Sequence, residues 1–478
     1  MAIRTAQSYL DSLRQLTPAV YILGKRVENP YDHPLLKHMI AGVARTYELG
    51  NDPEGKKYLV APSDLTGEDV SRFVKFYVSQ EDLLAKVRML KYLSHNIGTC
   101  YMRCTGMDAI NSVGIETYNC DKKYKTSYFE RFLNFLEYIQ ENDLTVFSGV
   151  TDVKGDRSLR PSQQPDPDMY LHVVDRDSKG VFVRGAKIHQ TGSLCAHWGL
   201  IVPTREMRAD DKDYTICCAV PVDAEGVIHV YGRGTLEARE LEECDLGNAC
   251  YSKYANMVIF KDVFIPWERV FLCGEHEYAG EMVRHFGNFH RHSHGGCKCG
   301  VGDVIIGAAA AAADYNGLQK VSHINHKLAE MIKIIQAIYG CSVAASVEAT
   351  PTPSGIYAVD PVLSNTSKLF EGKELQEVHR MLIEIAGGQV ADLPSDKDMD
   401  NPDIGPLLRK YLKGVEGVST EDRLKLFRFI EKLAFESRDI VSNIHGAGSP
   451  ETHRMTILRH SDIESKKKLA KKLAGIVE

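Results

Sequence analysis

Several features that mark other protein classes are missing from this 478-residue chain. The first residues, MAIRTAQSYLDSLRQL, contain no apolar core, so we expect no secretory signal. No run of about 18 apolar residues is present, and the strongest candidate, 304–313, is mostly alanine and predicts a packed helix. The net charge of −6 and the pI near 6.3 argue against a nucleic-acid-binding protein. We therefore predict a cytoplasmic protein with no membrane or nucleic-acid partner.

The sequence also offers little reason to expect disulfides. Twelve cysteines occur in a chain for which we expect no export, so metal binding or buried packing is favoured over cross-links. Most of these cysteines are predicted to be small buried apolar residues. That set comprises Cys120, Cys195, Cys217, Cys218, Cys244, Cys250, Cys273 and Cys341.

Hydrophobic periodicity divides the chain into three parts. Apolar residues are 44% of the total and charged residues 26%, as in a soluble globular protein of more than one domain. The spacing predicts helices over 1–142, short antiparallel strands and turns over 143–275, and a helical bundle over 276–478. The predicted fold class is α+β, with three domains at these boundaries.

Two pairs of metal-binding residues stand out. Cys100 and Cys104, in TCYMRCTGMD, have the i, i+4 spacing that would put both thiols on one face of a helix. His290 and Cys297, in FHRHSHGGCKCG, would complete a set of three thiolates and one imidazole. That set suits zinc or an iron–sulfur cluster. Core packing is the alternative for the first pair.

The histidine-rich segment can be interpreted in two ways. It is either a polar, zinc-affine loop or a ligand accompanied by acid/base groups, because imidazole titrates near neutral pH. The candidates are His290, His292 and His294, with Lys298 as a nearby cation. Gly295 and Gly296 would let the backbone approach a bulky inorganic group.

Two segments of the β region, TDVKGDR (151–157) and GAKIHQTGS (185–193), lack the Gly-x-Gly-x-x-Gly fingerprint of Rossmann domains. Ordinary turn chemistry accounts for most of their composition. Lys154, Arg157, Gln190 and Thr191 could also contact the pyrophosphate or ring edge of a cofactor. The segment NIHGAGSPETHR (443–454) is a helix end and turn, or a loop that small residues open to a ligand.

Taken in order, these motifs resemble the 4-hydroxybutyryl-CoA dehydratase family over essentially the whole chain. The resemblance rests on TCYMRCTGMDA, TDVKGDR, GAKIHQTGS, DVFIPWERVFLC, FHRHSHGGCKCGVGD and HGAGSPETHR. Broader relatives are the two-component 4-hydroxyphenylacetate hydroxylases, which share an acyl-CoA dehydrogenase-like fold. The Cys-x-x-x-Cys and His-x6-Cys pairs favour the dehydratases over the hydroxylases.

The resemblance implies FAD, a 4Fe–4S cluster, a homotetramer built from dimers, and an anaerobic radical dehydration or double-bond isomerisation of a small substrate, such as a CoA thioester. The implied cluster ligands are Cys100, Cys104, His290 and Cys297. The implied flavin contacts are Thr151, Lys154, Arg157, His189, Gln190 and Thr191. The candidate catalytic residues are His290, His292, His294 and Lys298.

The chain departs from the family at positions that handle protons and the substrate hydroxyl. A glutamine is replaced by Met102, a tyrosine by His294, and two glutamates by Ala255 and Ser442. Alanine cannot move a proton, and methionine cannot make the hydrogen bonds of glutamine. Either other groups, such as His292, His294, Tyr254 or Glu451, take over these tasks and the reaction is unchanged, or the redox centre is kept for a different substrate. We favour the second and expect a related reaction on a different substrate. The alternatives are a cluster-free flavin hydroxylase and a non-catalytic scaffold stabilised by zinc.

Overall fold

The computed structural model describes residues 3–233, 251 and 253–476 of the chain. Within these residues, helices dominate both ends and strands dominate the middle, so the predicted α+β class is confirmed. The exact domain boundaries stay a prediction. Cys244 and Cys250 lie outside the described residues, and the ten described cysteines are free thiols.

The N-terminal part is mainly helical, with four short strands between the helices. The helices are α1 (Ala6–Arg14), α2 (Pro34–Asn51), α3 (Pro53–Leu59), α4 (Gln80–Ile97), α5 (Cys104–Tyr124) and α6 (Tyr128–Glu141). The strands are β1 (Ala19–Ile22), β2 (Lys25–Val27), β3 (Val60–Pro62) and β4 (Asp69–Ser71). These strands are too short to show as alternating patterns, so the sequence predicted helix alone.

The ends of α4 determine where the first cysteine segment begins. The side chain of Ser79 accepts a hydrogen bond from the backbone N–H of Asp82 and caps the N-terminus. Gly98 ends the helix in the left-handed region, with φ of 73°. The chain therefore leaves α4 in a turn just before Cys100.

The middle part forms two sheets. Its strands are β5 (Val146–Gly149), β6 (His172–Arg176), β7 (Gly180–Thr191), β8 (Trp198–Ile201), β9 (Ile216–Pro221), β10 (Val227–Tyr231), β11 (Ala255–Pro266) and β12 (Val270–Cys273). The six-stranded sheet has the order β2-β1-β10-β11-β7-β6, and the four-stranded sheet the order β12-β9-β8-β5.

Strand pairing is antiparallel except at two places. β1 pairs with β10, and β5 with β8, in parallel register. Long connections, which parallel pairing requires, separate the members of both pairs. The predicted antiparallel β domain is confirmed for the described residues, with β5 and β8 as a parallel pair within it.

The C-terminal part is a helical bundle. Its helices are α7 (Glu277–Tyr315), α8 (Ser322–Val347), α9 (Pro361–Ala386), α10 (Asp396–Asp400), α11 (Gly405–Tyr411), α12 (Thr420–Phe435), α13 (Ser437–His445), α14 (Pro450–His460) and α15 (Ile463–Leu473). A small hairpin, β13 (Thr350–Pro351) and β14 (Tyr357–Ala358), lies between α8 and α9. α15 has no buried residue, as expected for a lysine-rich helix.

Helix α7 carries the histidine-rich segment and packs against α4, α5, α8 and α9. The segment is therefore part of a core helix and not a loop. A Cβ on Gly296 would lie 2.6 Å from the carbonyl oxygen of Val87 in α4, and one on Gly295 would overlap Ser342 in α8. The prediction that these glycines admit an inorganic group is wrong, because they admit neighbouring helices.

Among the described residues, α7 and α8 are long and apolar enough to cross a membrane. Core helices of soluble proteins share this property. α7 buries much of its surface inside the bundle, in agreement with the packed helix predicted for 304–313.

Candidate active site

Cys100 and Cys104 lie in the turn between α4 and α5. Cys104 is the first residue of α5, whereas Cys100 precedes the helix, and Met102 between them has a positive φ of 59°. The turn brings the two thiols into hydrogen-bond contact. The prediction that both occupy one helical face is therefore wrong, although the sulfurs are adjacent.

The contact between these thiols makes them unequal. The hydrogen bond from Cys104 is the main cause that lowers the pKa of Cys100 to about 6. The same bond, followed by burial, raises the pKa of Cys104 well above its usual value. This contact favours the thiolate of Cys100, the form of cysteine that binds metals.

Cys297 joins this pair from α7. It packs against the apolar group that contains Tyr101 and Cys104. Burial is the main cause that raises the pKa of the Tyr101 hydroxyl, and the charges of Cys297, Cys104 and Cys100 raise it further. The ring of Tyr101 thus lies near all three sulfurs. Burial also raises the pKa of Cys297 to about 12, against the opposing charge of Lys298.

His290 lies two turns before Cys297 on α7 and is held by a buried carboxylate. Its Nδ1 is 2.9 Å from Oδ2 of Asp108 in α5. Lys86 and Ser293 donate to the same carboxylate, at 2.7 Å and 2.8 Å. Burial alone would raise the pKa of Asp108, but Lys86 and His290 lower it. Such a contact at Nδ1 leaves Nε2 free to bind a metal.

His294, one turn after His290, has a similar environment. Its Nδ1 lies 3.1 Å and 3.2 Å from the two carboxylate oxygens of Glu371 in α9. Lys368 donates to Glu371 at 2.9 Å. Burial lowers the pKa of His294 to about 3. Burial alone would raise the pKa of Glu371, but Lys368 and then His294 bring it to about 2. A neutral imidazole therefore faces an ionised carboxylate.

Lys298 links the two cysteine segments through Asp439 of α13. Its Nζ is 3.7 Å from Oδ1 of Asp439, whose Oδ2 accepts a hydrogen bond from Thr99 at 3.1 Å. Burial alone would lower the pKa of Lys298, but Asp439 and then Cys297 raise it. A small cavity beside α7 and α13 is lined by Lys298, Asp439 and Thr99.

His292 does not join this group. It is completely buried, and its Nε2 lies 2.7 Å from Oγ of Ser346 in α8. Two residues along a helix correspond to a rotation of about 200°, so His292 faces away from His290 and His294. The catalytic role of His292 stays a prediction, although its ring lies away from the other two histidines.

The structure brings four of the predicted flavin contacts together at β7. The carbonyl oxygen of Thr151 accepts from the N–H of Ile188 at 2.8 Å and from Nε2 of Gln190 at 3.2 Å. Lys154 and His189 are exposed beside them. Burial and then the charge of Lys154 lower the pKa of His189, whose φ is 60°.

The other two predicted contacts lie at the margins of this segment. Arg157 is exposed further along the loop. Thr191 pairs with Ala255 in the register of β7 and β11. Next to it, Gly192 has φ of 78°, and a Cβ there would lie 2.8 Å from the carbonyl oxygen of Met102. This close approach joins the β7 segment to the cysteine turn.

The two positions that lost a glutamate flank the same region. Ala255 is on β11 beside the β7 segment. The carbonyl oxygen of Ser442, in α13, accepts from Lys368 at 3.4 Å. The carboxylates that contact His290 and His294 belong instead to Asp108 in α5 and Glu371 in α9.

Sequence reasoning missed four buried charged residues of this site. They are Lys86, Asp108, Lys368 and Glu371, and each side chain is at most 1% exposed. The available signal was a charge on the apolar face of an amphipathic helix, because such a residue needs a partner in the core. The sequence could not identify the partners, which lie on different helices for three of the four contacts.

Among the described residues, no three His, Cys, Asp or Glu side chains converge closely enough to hold one metal ion. The cysteines of an iron–sulfur cluster are more widely spaced than the ligands of a single ion, since each binds a different iron.

Comparisons with known proteins cover the full chain. Residues 5–272 match the 4-hydroxyphenylacetate 3-hydroxylase N-terminal family and residues 279–475 its C-terminal family. The 4-hydroxybutyryl-CoA dehydratase/vinylacetyl-CoA-Delta-isomerase of Clostridium aminobutyricum is 43% identical to this chain. The alignment is 488 positions long and covers 99% of this chain and 100% of that protein.

Two solved structures are also similar. The oxygen-tolerant archaeal 4-hydroxybutyryl-CoA dehydratase from N. maritimus has a TM-score of 0.97 and 42% identity, over 100% of this chain and 96% of that one. The HpaB oxygenase component of 4-hydroxyphenylacetate 3-monooxygenase, complexed with FAD and 4-hydroxyphenylacetate, has a TM-score of 0.89 at 24% identity, over 98% of both chains. The chain therefore belongs to the 4-hydroxyphenylacetate 3-hydroxylase family and, within it, to the 4-hydroxybutyryl-CoA dehydratase/vinylacetyl-CoA isomerase group, whose members are enzymes of the lyase and isomerase type.

Proposed function

We propose that this protein is a cytoplasmic dehydratase and isomerase that uses FAD and a 4Fe–4S cluster and acts on a CoA thioester. The observation that carries the proposal is the set of Cys100, Cys104 and Cys297 around Tyr101, with His290 held by Asp108 on the adjoining turns of α7. The 43% identity to the clostridial dehydratase supports the reaction class.

The residues present fit an iron–sulfur cluster. Three sulfurs and one imidazole are suitable ligands, and the contact with Cys104 favours the thiolate form of Cys100. Asp108 fixes the ring of His290 as carboxylates do for metal-bound histidines. When bound, a cluster with one histidine-ligated iron supplies a Lewis acid for a departing hydroxyl group.

The β7 segment fits a flavin. The FAD complex of HpaB has the same fold and supports a flavin site in this chain. Asn256, paired with Gln190 across β11 and β7, has a buried Oδ1 without a hydrogen-bond partner, as expected beside a polar ring edge. Thr151, Lys154, Arg157, His189, Gln190 and Thr191 are the proposed contacts. Bound FAD would exchange electrons with the substrate.

The side chains of α7 have distinct proposed roles. His290 is a cluster ligand. His294, neutral and bound to Glu371 at Nδ1, presents Nε2 to the substrate and exchanges a proton with it. Lys298 supplies a fixed positive charge beside the cysteines for an anionic substrate group.

The altered positions favour a substrate other than 4-hydroxybutyryl-CoA. Ala255, Ser442 and His294 change both the shape of the pocket and its proton-exchanging groups, while the four proposed cluster ligands are retained. We therefore propose the same type of elimination on a thioester with a different acyl chain.

A homotetramer is proposed on the basis of the resemblance and of the exposed apolar surface. Leu458, Leu469 and Leu473 are 65%, 59% and 79% exposed on α14 and α15. Leu469 and Leu473 are four residues apart and share one face of α15, and an exposed apolar face of this kind is typical of subunit contacts.

An anaerobic assay tests the proposal. Purified protein is incubated with 4-hydroxybutyryl-CoA, vinylacetyl-CoA and a panel of branched and longer hydroxyacyl-CoA thioesters, and the products are separated by chromatography. We expect dehydration or isomerisation of at least one thioester, and faster conversion of a panel member than of 4-hydroxybutyryl-CoA. Hydroxylation of a phenol that requires O₂ and a reductase, with no thioester converted, would instead establish the hydroxylase alternative.

A further inference from the structure

Two neighbouring histidines of α7 are held in the same way by residues from different helices. His290 and His294 are one turn apart, and their ring centroids are 5.1 Å apart at an interplanar angle of 83°. Nδ1 of His290 contacts Asp108 of α5, at 2.9 Å, and Nδ1 of His294 contacts Glu371 of α9, at 3.1 Å. Each ring is thus fixed through the same nitrogen.

Each carboxylate is itself paired with a buried lysine. Lys86 of α4 lies 2.7 Å from Asp108, and Lys368 lies 2.9 Å from Glu371. Each lysine also donates to a backbone carbonyl, Lys86 to that of Phe289 at 2.9 Å and Lys368 to that of Asn443 at 2.6 Å. The two lysine–carboxylate–histidine relays, Lys86–Asp108–His290 and Lys368–Glu371–His294, are built alike.

Stability does not explain these relays. Burying a lysine and a carboxylate costs solvation energy that their attraction barely offsets, so apolar residues of similar volume would serve as well. What a carboxylate at Nδ1 does provide is a choice of tautomer, because it requires a proton on that nitrogen. Both rings then present Nε2 as the free nitrogen.

The free nitrogens have different surroundings. His290 lies two turns before Cys297 on α7, next to Phe289, which belongs to the same apolar group as Cys104. Nε2 of His294 faces the loop after α13, where a Cβ on Gly446 would lie 3.2 Å from it. The missing Cβ lets the loop after α13 pack directly against the ring of His294.

We propose that Asp108 and Glu371 are positioning residues with separate tasks. Asp108 orients His290 as a cluster ligand, and Glu371 orients His294 so that its Nε2 is presented to the substrate. This inference rests on the proposed function, since it assigns the two histidines to the cluster and to the substrate. The paired lysines keep both carboxylates ionised and in place.

The experiment uses two double variants that remove each ion pair without leaving an unpaired charge. They are Lys86→Met with Asp108→Leu, and Lys368→Met with Glu371→Leu. Neutral replacement of a whole buried pair is usually tolerated, so both variants should fold. Ser346→Ala is the matched control, because it removes the hydrogen bond of His292, which lies on the same helix as His290 and His294, together with one hydrogen bond inside α8.

Three measurements separate the tasks. Crystal structures report the ring orientation of each histidine, spectroscopy and reduction potential report the cluster, and kinetics report kcat and KM. The Lys86/Asp108 variant should rotate His290 and bind iron 10–100-fold more weakly or with a shifted spectrum. The Lys368/Glu371 variant should rotate only His294, keep the cluster spectrum, and lose about 100-fold or more in kcat with little change in KM. Glu371→Asp should recover part of that loss.

The inference is overturned if either histidine keeps its orientation when its ion pair is removed, or if the Lys368/Glu371 variant alters the cluster spectrum as much as the Lys86/Asp108 variant. Unchanged kcat in the Lys368/Glu371 variant contradicts it as well. If the unsubstituted protein binds no iron and converts no thioester, the proposed function fails, whereas the ring orientations still decide whether the carboxylates position the histidines.

Discussion

At the scale of single residues, the site combines thiols of unequal acidity with imidazoles fixed by buried carboxylates. The hydrogen bond from Cys104 lowers the pKa of Cys100, while burial raises the pKa of Cys297 to about 12. Metal binding must therefore displace protons from Cys104 and Cys297. Iron binding to this site should become weaker as the pH falls.

Substitution of one thiol tests the proposed ligand set. Cys297→Ser should lose most of the bound iron and acid-labile sulfide, because a serine hydroxyl is a poor ligand for iron–sulfur clusters. Cys341→Ser is the control, since Cys341 is a partly exposed free thiol in α8 that is not a proposed ligand. Iron and sulfide are measured on anaerobically purified proteins. Equal iron content in the two variants would exclude Cys297 as a ligand.

At the scale of elements, the packing of α7 on α4 positions the histidines. Gly296→Ala should lower the free energy of unfolding by about 1–3 kcal/mol, because its Cβ would lie 2.6 Å from the backbone oxygen of Val87. Gly307→Ala, in the same helix with no atom within 4 Å, should be neutral or stabilise by up to about 1 kcal/mol. Urea unfolding measures both. Similar free energies of unfolding for the two variants would show that α7 and α4 can move apart without loss of stability.

A second contact between elements joins the β7 segment to the cysteine turn. Gly192→Ala should reduce the iron and FAD contents together, since a Cβ would press on the Met102 carbonyl at 2.8 Å. The backbone strain of about 1–2 kcal/mol at positive φ is shared by Gly24→Ala, where φ is 81° and no atom lies within 4 Å. The control should keep both cofactors, as measured by flavin absorbance and iron analysis. If Gly192→Ala and Gly24→Ala both lose the cofactors, backbone strain alone accounts for the effect.

The sequence predicted the residues of this site better than their arrangement. Short-range spacing identified Cys100, Cys104, His290 and Cys297 as neighbours along the chain, but the spacing of four is satisfied by a turn as well as by a helix. The carboxylates that hold the histidines come from α5 and α9, and no local pattern connects them to α7. Contacts between distant segments depend on how the helices pack, which one sequence does not specify.

At the scale of the whole molecule, buried neutral histidines make stability depend on pH. Burial lowers the pKa of His197 to about 3 and that of His229 to about 4. The unfolded chain binds these protons near pH 6.5, so between about 6.5 and the folded-state values it holds more protons than the native state. Each such histidine therefore lowers the free energy of unfolding by about 1.4 kcal/mol for every pH unit within that window, and it has no effect above the window.

Urea unfolding of the cofactor-free protein from pH 7.5 to 4.5 checks this dependence. Stability should be nearly constant above about pH 6.5 and fall steeply below it. His229→Gln should reduce the slope of the free energy of unfolding against pH by an amount that corresponds to about one proton fewer taken up on unfolding. An unchanged slope in this variant would mean that His229 is accessible to protons in the native state.

The most direct test of the account is the composition of anaerobically purified protein. The proposed ligands predict about four iron atoms and about four acid-labile sulfides per chain, together with FAD, and bleaching of the cluster in air. FAD without iron, or a single zinc ion without sulfide, would contradict the claim that Cys100, Cys104, Cys297 and His290 hold a cluster beside a flavin.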